Sequence, residues 1–358
     1  METPGLNPVP PVDGDALEAA LAPLVRGRPV TLRDVAREAG TSASTASRAL
    51  SGRGYVSSDV RARLLAAAER LGYVANASAR TLKQQTSRTV GVVVSVLEDP
   101  FYAELASGVE ETLRAANYQM VLISDNSDSA QEIAGARTFL AMRAAGVIVT
   151  PVGSKAAELL ARNGIPVVEV DRQLARVDCD AVVIDNEGGA REATEHLLAL
   201  GHRRIGLLVA KTDWTSDAGR LRGYRAAFAA AGIPVDERLV MAIEFGAPDT
   251  DHRIASLIDD GPTAIFAANN MLAERAWRVI RRRGLRLAAD ISLVGFDDVP
   301  WMEMVDPGIT TVAQPTIEIG RWAASLLLRR AEDPTRMPRV ERLEPKLVVR
   351  ASTGPPRA

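Results

Sequence analysis

The chain is 358 residues long, with 47% hydrophobic and 25% charged residues, which excludes a disordered protein and suits two or three globular domains. One cysteine, Cys179, excludes an internal disulfide, and three histidines are too few for a His-rich metal site. The formal charge of −2 is uneven: the 65 residues from Arg26 to Val90 hold 12 Lys/Arg against 4 Asp/Glu, a net of +8, so a basic module sits on an acidic chain and a polyanion is its expected partner.

Residues 1–29 are Pro-rich and lack sustained periodicity, as well as the basic start and apolar run of a secretory signal. A flexible tail is expected there, and its composition also suggests a translation start placed too far upstream. No apolar run reaches the roughly 20 residues of a bilayer span. With the lone cysteine, this predicts a cytoplasmic protein.

Residues 30–75 read as a helix-turn-helix headpiece. Thr31 and Asp34 make a capping-box-like start, and Leu32, Val35, Ala36 and Ala39 fall on one helical face. Gly40 suits the left-handed stop. Ser42 caps a second helix with Ala46, Ala49 and Leu50 inward; Ser44 and Arg48 lie one i,i+4 step apart on the other side, with Ala43 and Ser47 beside them. A third helix begins near Ser57, buries Val60, Leu64, Ala68 and Leu71, and stops at Gly72. Two helices on a short Gly-containing turn, braced by a third, make a helix-turn-helix. Residues 76–88 form a linker. Its segment Asn76–Lys83 offers little apolar surface beyond Ala79 and Leu82, so a helix there is marginal alone.

From Thr89 the pattern changes. Strand-length, β-branched runs (VGVVVSVL, QMVLIS, GVIVT, PVVEV, AVVID, RIGLLVA, TAIFAA, ISLVGF) alternate with helical stretches such as Tyr102–Ala116, Glu187–Leu200, Arg220–Ala231 and Met271–Arg283. Such runs suit strands buried on both faces, and the alternation predicts doubly wound parallel sheets. Residues 89–354 exceed one core, so the fold class is α/β with two lobes behind the headpiece. No G-x-G-x-x-G after a strand, Walker loop, nucleophile elbow or metal-ligand cluster occurs. No enzyme, cofactor or metal is therefore expected.

The segment TLRDVAREAGTSASTASRALSGRGYVSSDVRARLLAAAERLGYVANASARTLK resembles the headpiece of LacI/GalR-type repressors. The order of helix-turn-helix, linker and two-lobed sensor, ending in PKLVVRAST, extends the resemblance over the chain after residue 30. The resemblance implies that Ala43–Leu50 is a recognition helix in the major groove. Ala43, Ser44 and Arg48 would face bases, Arg48 bidentate to guanine, while Ser42, Thr45, Ser47 and Tyr55 would hold phosphates. Asn76–Lys83 matches a DNA-binding hinge helix that begins at Asn76, in which Ala79 permits paired hinges to pack and Leu82 wedges into a minor-groove step. Ala75 stands where proline is more usual.

The two lobes resemble periplasmic sugar-binding proteins, whose ligands sit between lobes at the carboxyl ends of strands. A ribose-binding-type pattern matches Asp99, Phe101, Tyr102, Asp171, Arg172, Trp214, Arg220, Phe245, Asn269, Asp297 and Gln314. The aromatic rings would cover the C–H faces of a sugar, and the polar groups would hydrogen-bond its hydroxyls. Asp99 stands where Asn is usual, and Asn270 replaces the usual acid after Asn269. The purine-binding branch has arginine at the position of Trp214, which favours a sugar over a nucleobase; a purine- or nucleoside-responsive regulator is the alternative reading. The resemblance thus implies a bacterial, nucleoid-associated homodimer that dimerises through its two-lobed domain. It would repress a carbohydrate-utilisation operon by binding pseudo-palindromic double-stranded DNA, under control of a small sugar and without a membrane. No leucine heptads follow Pro338, which favours a dimer over a tetramer. His196 and His202 read as structural, and Trp301 as either packing or ligand-facing.

Overall fold

The computed structural model describes residues 30–51, 55–73, 87–174, 179–210, 213–244 and 246–357. The chain divides into two compact units, Met1–Gln84 and Gln85–Ala358.

In the first unit, α1 (Leu32–Glu38), α2 (Ala43–Ser51) and α3 (Ser58–Arg70) enclose a small core of Val35, Ala36, Ala39, Ala46, Ala49, Leu64 and Ala67. The capping box forms: Asp34 N–H donates to the Thr31 hydroxyl, and the Asp34 carboxylate accepts from Thr31 N–H at 2.9 Å. Gly40 and Gly72 take φ of +65° and +64°, the left-handed region where glycine costs least. The Ser42 hydroxyl accepts from Thr45 N–H at 3.1 Å, which caps α2. One expectation shifts by a residue: Ala67 is fully buried on α3, and Ala68 is only half-buried. The hinge residues Asn76, Ala79 and Leu82 lie outside the described residues.

The second unit has two six-stranded sheets. The first is ordered β11-β5-β4-β3-β1-β2, from β1 (Thr89–Val94), β2 (Gln119–Ser124), β3 (Gly146–Val149), β4 (Val167–Val170), β5 (Asp180–Ile184) and β11 (Val340–Leu343), all parallel. The second is ordered β12-β10-β9-β8-β6-β7, from β6 (Ile205–Val209), β7 (Val240–Ala242), β8 (Ala264–Ala267), β9 (Ser292–Phe296), β10 (Thr310–Ala313) and β12 (Lys346–Val348), with only β12 antiparallel. Apart from Thr89 at the start of β1, strands β1, β5, β6 and β9 are buried, as their unbroken apolar runs require.

The helices of the first lobe are α4 (Pro100–Ala115), α5 (Ser129–Ala141) and α6 (Lys155–Arg162); those of the second are α7 (Asn186–Ala199), α8 (Thr215–Ala230), α9 (Thr250–Asp259), α10 (Asn270–Arg282) and the short α11 (Pro300–Met304). The long α12 (Thr316–Glu332) returns to the first lobe and packs on α4. The chain crosses between lobes after β5, after β10 and between β11 and β12. Close helix pairs brace each lobe. A β-carbon on Gly108 would run into the carbonyl oxygen of Ile317, and one on Gly320 into that of Leu105, so α4 and α12 touch backbone to backbone. Gly223 on α8 faces the carbonyl oxygen of Glu187 on α7 in the same way.

This explains a misplaced boundary. The helix expected to start at Arg220 starts at Thr215; Gly219, just before the expected start, serves close packing on α7 rather than breaking the helix. His202 is buried and bonded to Thr263, Ser292 and the carbonyl of Gly354, and His196 to Thr353, so both tie the C-terminal segment to the second lobe. Trp301 packs beside Trp277, with ring centres 6.2 Å apart.

Candidate functional site: a charged face and an interlobe cleft

On the headpiece, the face of α2 away from its core presents Ala43, Ser44 and Arg48 to solvent. Ser42, at the N-terminus of α2, shares its hydroxyl with Ser44 at 2.8 Å and Thr45 at 2.9 Å. Ser47 is half-buried and Tyr55 is 91% exposed. Among the described residues Arg48 makes no ion pair, whereas Arg37 and Arg70 pair with Asp34 and Glu38. Arg61 donates to the carbonyl of Ala49 at 3.1 Å and fastens α3 to α2. The face is a free guanidinium amid small hydroxyls, with the frame rigid behind it.

In the second unit, a cavity of about 370 Å³ opens between the lobes at the carboxyl ends of the strands, the position expected for open α/β sheets. Asp99, Phe101, Tyr102, Asp171 and Arg172 from the first lobe line it, with Trp214, Arg220, Asn269 and Asp297 from the second and Gln314 at a crossover. Ten of the eleven residues matched in the sequence are thus brought together; Phe245 lies outside the described residues.

The wall is built in layers. Asp99 caps α4 by accepting from Phe101 N–H at 2.9 Å, which fixes Phe101 and Tyr102 in an edge-to-face pair 5.1 Å apart. Arg172 donates to Asp171 at 3.1 Å and to the Tyr102 hydroxyl at 2.9 Å, and its guanidinium lies 3.7 Å over the Trp214 ring. One face of Trp214 is therefore already covered by the protein itself. Arg220 donates to Asn186 at 2.8 Å and to the carbonyl of Ala268, and it lies 3.7 Å over Phe296. Asp171 and Asp297 end their strands at φ of +67° and +71°, left-handed values that cost a non-glycine residue and that collect at binding sites.

The lobes are already bridged. Asn270 at the start of α10 donates one amide to Asp99 at 2.9 Å and to Asp297 at 3.2 Å. Gln173 N–H donates to the Thr215 hydroxyl at 3.0 Å. Asp297 also accepts from Gln314 at 2.5 Å. Burial and the facing Asp297 push the Asp99 carboxyl up to about 6, and burial raises that of Asp217, which accepts from Ala210 N–H at 3.1 Å. Among the described residues Arg172 Nη1 and Gln314 Oε1 are buried without a partner, one donor and one acceptor.

Several lining residues escaped the sequence reading: Ser95, Asp217, Thr250, Met271, Glu274 and Arg278. The last three recur at helical spacing after Asn269, the one signal that could have found them. Among the described residues no group of His, Cys, Asp or Glu could hold a metal ion, and no helix is long and apolar enough to cross a membrane.

Comparison with known proteins joins the two units. Residues 31–76 match the bacterial regulatory proteins of the lacI family, and residues 87–346 match the periplasmic binding proteins and sugar binding domain of LacI family. The HTH-type transcriptional repressor PurR of Photobacterium profundum is 31% identical over 327 residues, 90% of this chain and 98% of that protein. A transcriptional regulator CelR–cellobiose complex is similar at 33% identity and a TM-score of 0.69, covering 91% of this chain and 100% of that one. The lac repressor dimer bound to operator and the anti-inducer ONPF is similar at 27% identity and a TM-score of 0.79, over 91% and 100%. With both of its parts matched in order, this chain belongs to the LacI family of transcriptional regulators.

Proposed function

We propose that this regulator represses a carbohydrate-utilisation operon as a homodimer, and that an uncharged sugar bound between the lobes releases it from a pseudo-palindromic operator. Residues 30–75 act as the reader, 76–88 as the coupling segment and 89–354 as the sensor. In the reader, Ala43, Ser44 and Arg48 face bases, while Ser42, Thr45, Ser47 and Tyr55 hold the backbone. Paired readers match a two-fold operator because the dimer itself is two-fold.

The observation that carries the reading is the cleft wall. Four carboxylates (Asp99, Asp171, Asp217, Asp297) and two guanidiniums (Arg172, Arg220) are buried or nearly so around one cavity. That acid excess opposes a phosphorylated ligand. It suits hydroxyls, which donate to carboxylates and accept from arginines at once. The similarity to a cellobiose complex supports a carbohydrate, and that to an operator-bound dimer supports the DNA partner.

The test is a gel shift with duplexes from the neighbouring promoter, with and without monosaccharides, disaccharides and the purines hypoxanthine and guanine. A salt-sensitive shift to one duplex, reversed by a carbohydrate, is expected. Reversal by a purine alone establishes the purine reading instead, and no preference for any duplex overturns both.

A further inference from the structure

Asn270 is not among the residues lining the cavity, yet it touches two acids that are, one from each lobe. It is the first residue of α10 and is 3% exposed. Its side-chain nitrogen donates to Asp99 Oδ1 at 2.9 Å and to Asp297 Oδ2 at 3.2 Å. Its backbone N–H donates to the same Asp297 oxygen at 3.2 Å. Each of these bonds ends on a carboxylate.

Both acids are fixed from behind. Asp99 caps α4 through Phe101 N–H, and Asp297 sits at a φ of +71° and accepts from Gln314. Turning either carboxylate away would break those bonds, so two like charges meet where the lobes join. The cost shows in Asp99, whose carboxyl burial and the facing Asp297 push up to about 6. An amide between them offers one hydrogen to each oxygen and adds no charge. An aspartate at 270, of nearly the same size, would set a third carboxylate where those hydrogens now point.

The other two contacts between the lobes make no such demand. Gln173 N–H to the Thr215 hydroxyl joins neutral groups, and Arg172 over Trp214 is attractive as it stands. The bridge at Asn270 is the one that depends on which side chains carry charge.

We propose that Asn270 is a positioning residue and the latch between the lobes. Its neutral amide lets an acid of each lobe stand together, which is what permits an aspartate at 99 in the cavity wall. The pair Asp99–Asn270 therefore tolerates exchange of its two side chains but not a second acid. The inference rests on the effector reading of the cleft for its use, while the latch itself belongs to the chain without ligand.

Hydrogen exchange followed by mass spectrometry on the full-length protein, without effector, tests it. The Gln173 amide donates across the cleft at 3.0 Å and so reports contact between the lobes away from the altered side chains. Asn270→Asp is expected to speed its exchange about tenfold or more. Adding Asp99→Asn restores one acid and one amide, with the donor now on the first lobe, and is expected to bring exchange back to within about threefold of the unchanged protein. Repulsion between positions 270 and 297 is present in both variants, so the recovery belongs to the pair that spans the lobes. Asn270→Ala removes the bridge without adding charge; it is expected to speed exchange about threefold or more and serves if the aspartate variant does not fold. A Gln173 amide indifferent to these single variants overturns the latch. So does a double variant that exchanges as fast as Asn270→Asp, or faster exchange confined to the first turn of α10, which marks a local brace of the second lobe. Because exchange is read without effector, failure of the latch is distinct from failure of the carbohydrate reading, which the operator gel shifts of the unchanged protein decide.

Discussion

The guanidinium of Arg172, from the first lobe, lies 3.7 Å over the indole ring of Trp214, from the second. A cation over an aromatic face in a desolvated site contributes on the order of 2 kcal/mol, and here that buried contact joins the two lobes. Trp214→Ala is expected to weaken effector binding about tenfold or more and to let the lobes part, leaving operator affinity without effector within a few-fold of normal. Titrating effector into operator gel shifts, with scattering of the free protein, reads both. An unchanged effector midpoint would falsify the role.

Arg48→Ala is expected to weaken operator binding by about 1–3 kcal/mol and to relax one base-pair position. Tyr55→Phe, at a backbone-facing position, is expected to weaken all duplexes about equally. Binding to a set of single-base operator variants distinguishes the two patterns.

Burial pushes Asp125 and Glu132, at the carboxyl end of the first sheet, up to about 7 each. Glu132 accepts from Val152 and Gly153 N–H, and Asp125 Oδ1 from Ser127 N–H, which only partly offsets that cost. In the unfolded chain both titrate near 4, so between about pH 4 and 7 the folded state holds protons that the unfolded state has lost. Their stabilising effect is complete below pH 4 and is lost as the pH rises through 7. Stability is therefore expected to fall between pH 5.5 and 8, seen as a lower melting temperature at the alkaline end. Asp125→Asn is expected to flatten that slope in calorimetry.

His202 titrates with the opposite consequence. Burial holds its imidazole below the usual 6.5, so the unfolded chain takes up the proton first as the pH falls. Its contribution is complete above pH 6.5 and is lost below it. His202→Ala leaves Thr263 and Ser292 short of a partner and is expected to cost about 2–4 kcal/mol in urea unfolding at neutral pH.

Gly320→Ala is expected to cost about 3 kcal/mol or more, because the clash is with the backbone of Leu105 and no rotamer can relieve it. Gly164→Ala is strained by its φ of +75° but meets nothing, so it should cost less. The difference between the two urea midpoints measures close packing against backbone preference.

The elements that could be read directly from the residues are those specified by near neighbours. The Thr31–Asp34 box, the glycine stops and the central strands each carry their cause within a few residues. Strand β11, VERL, has no such mark, since it is a largely polar edge placed by its pairing with β5 and the packing of Leu343. Gly219 hid the true start of α8 because its reason, Asn186, lies on α7, 33 residues away in the chain. The cleft followed the same rule. Residues ending strands were legible, whereas Asn270 acquires its part only when Asp99 and Asp297 arrive from elsewhere.

The three passages between lobes carry a cost for anything that shortens the molecule. Residues Val340–Val348 hang one edge strand on each sheet in a single stroke. A clip or stop codon near Met337 would thus strip both halves of the sensor together, and no tidy single-lobe fragment is available from either end.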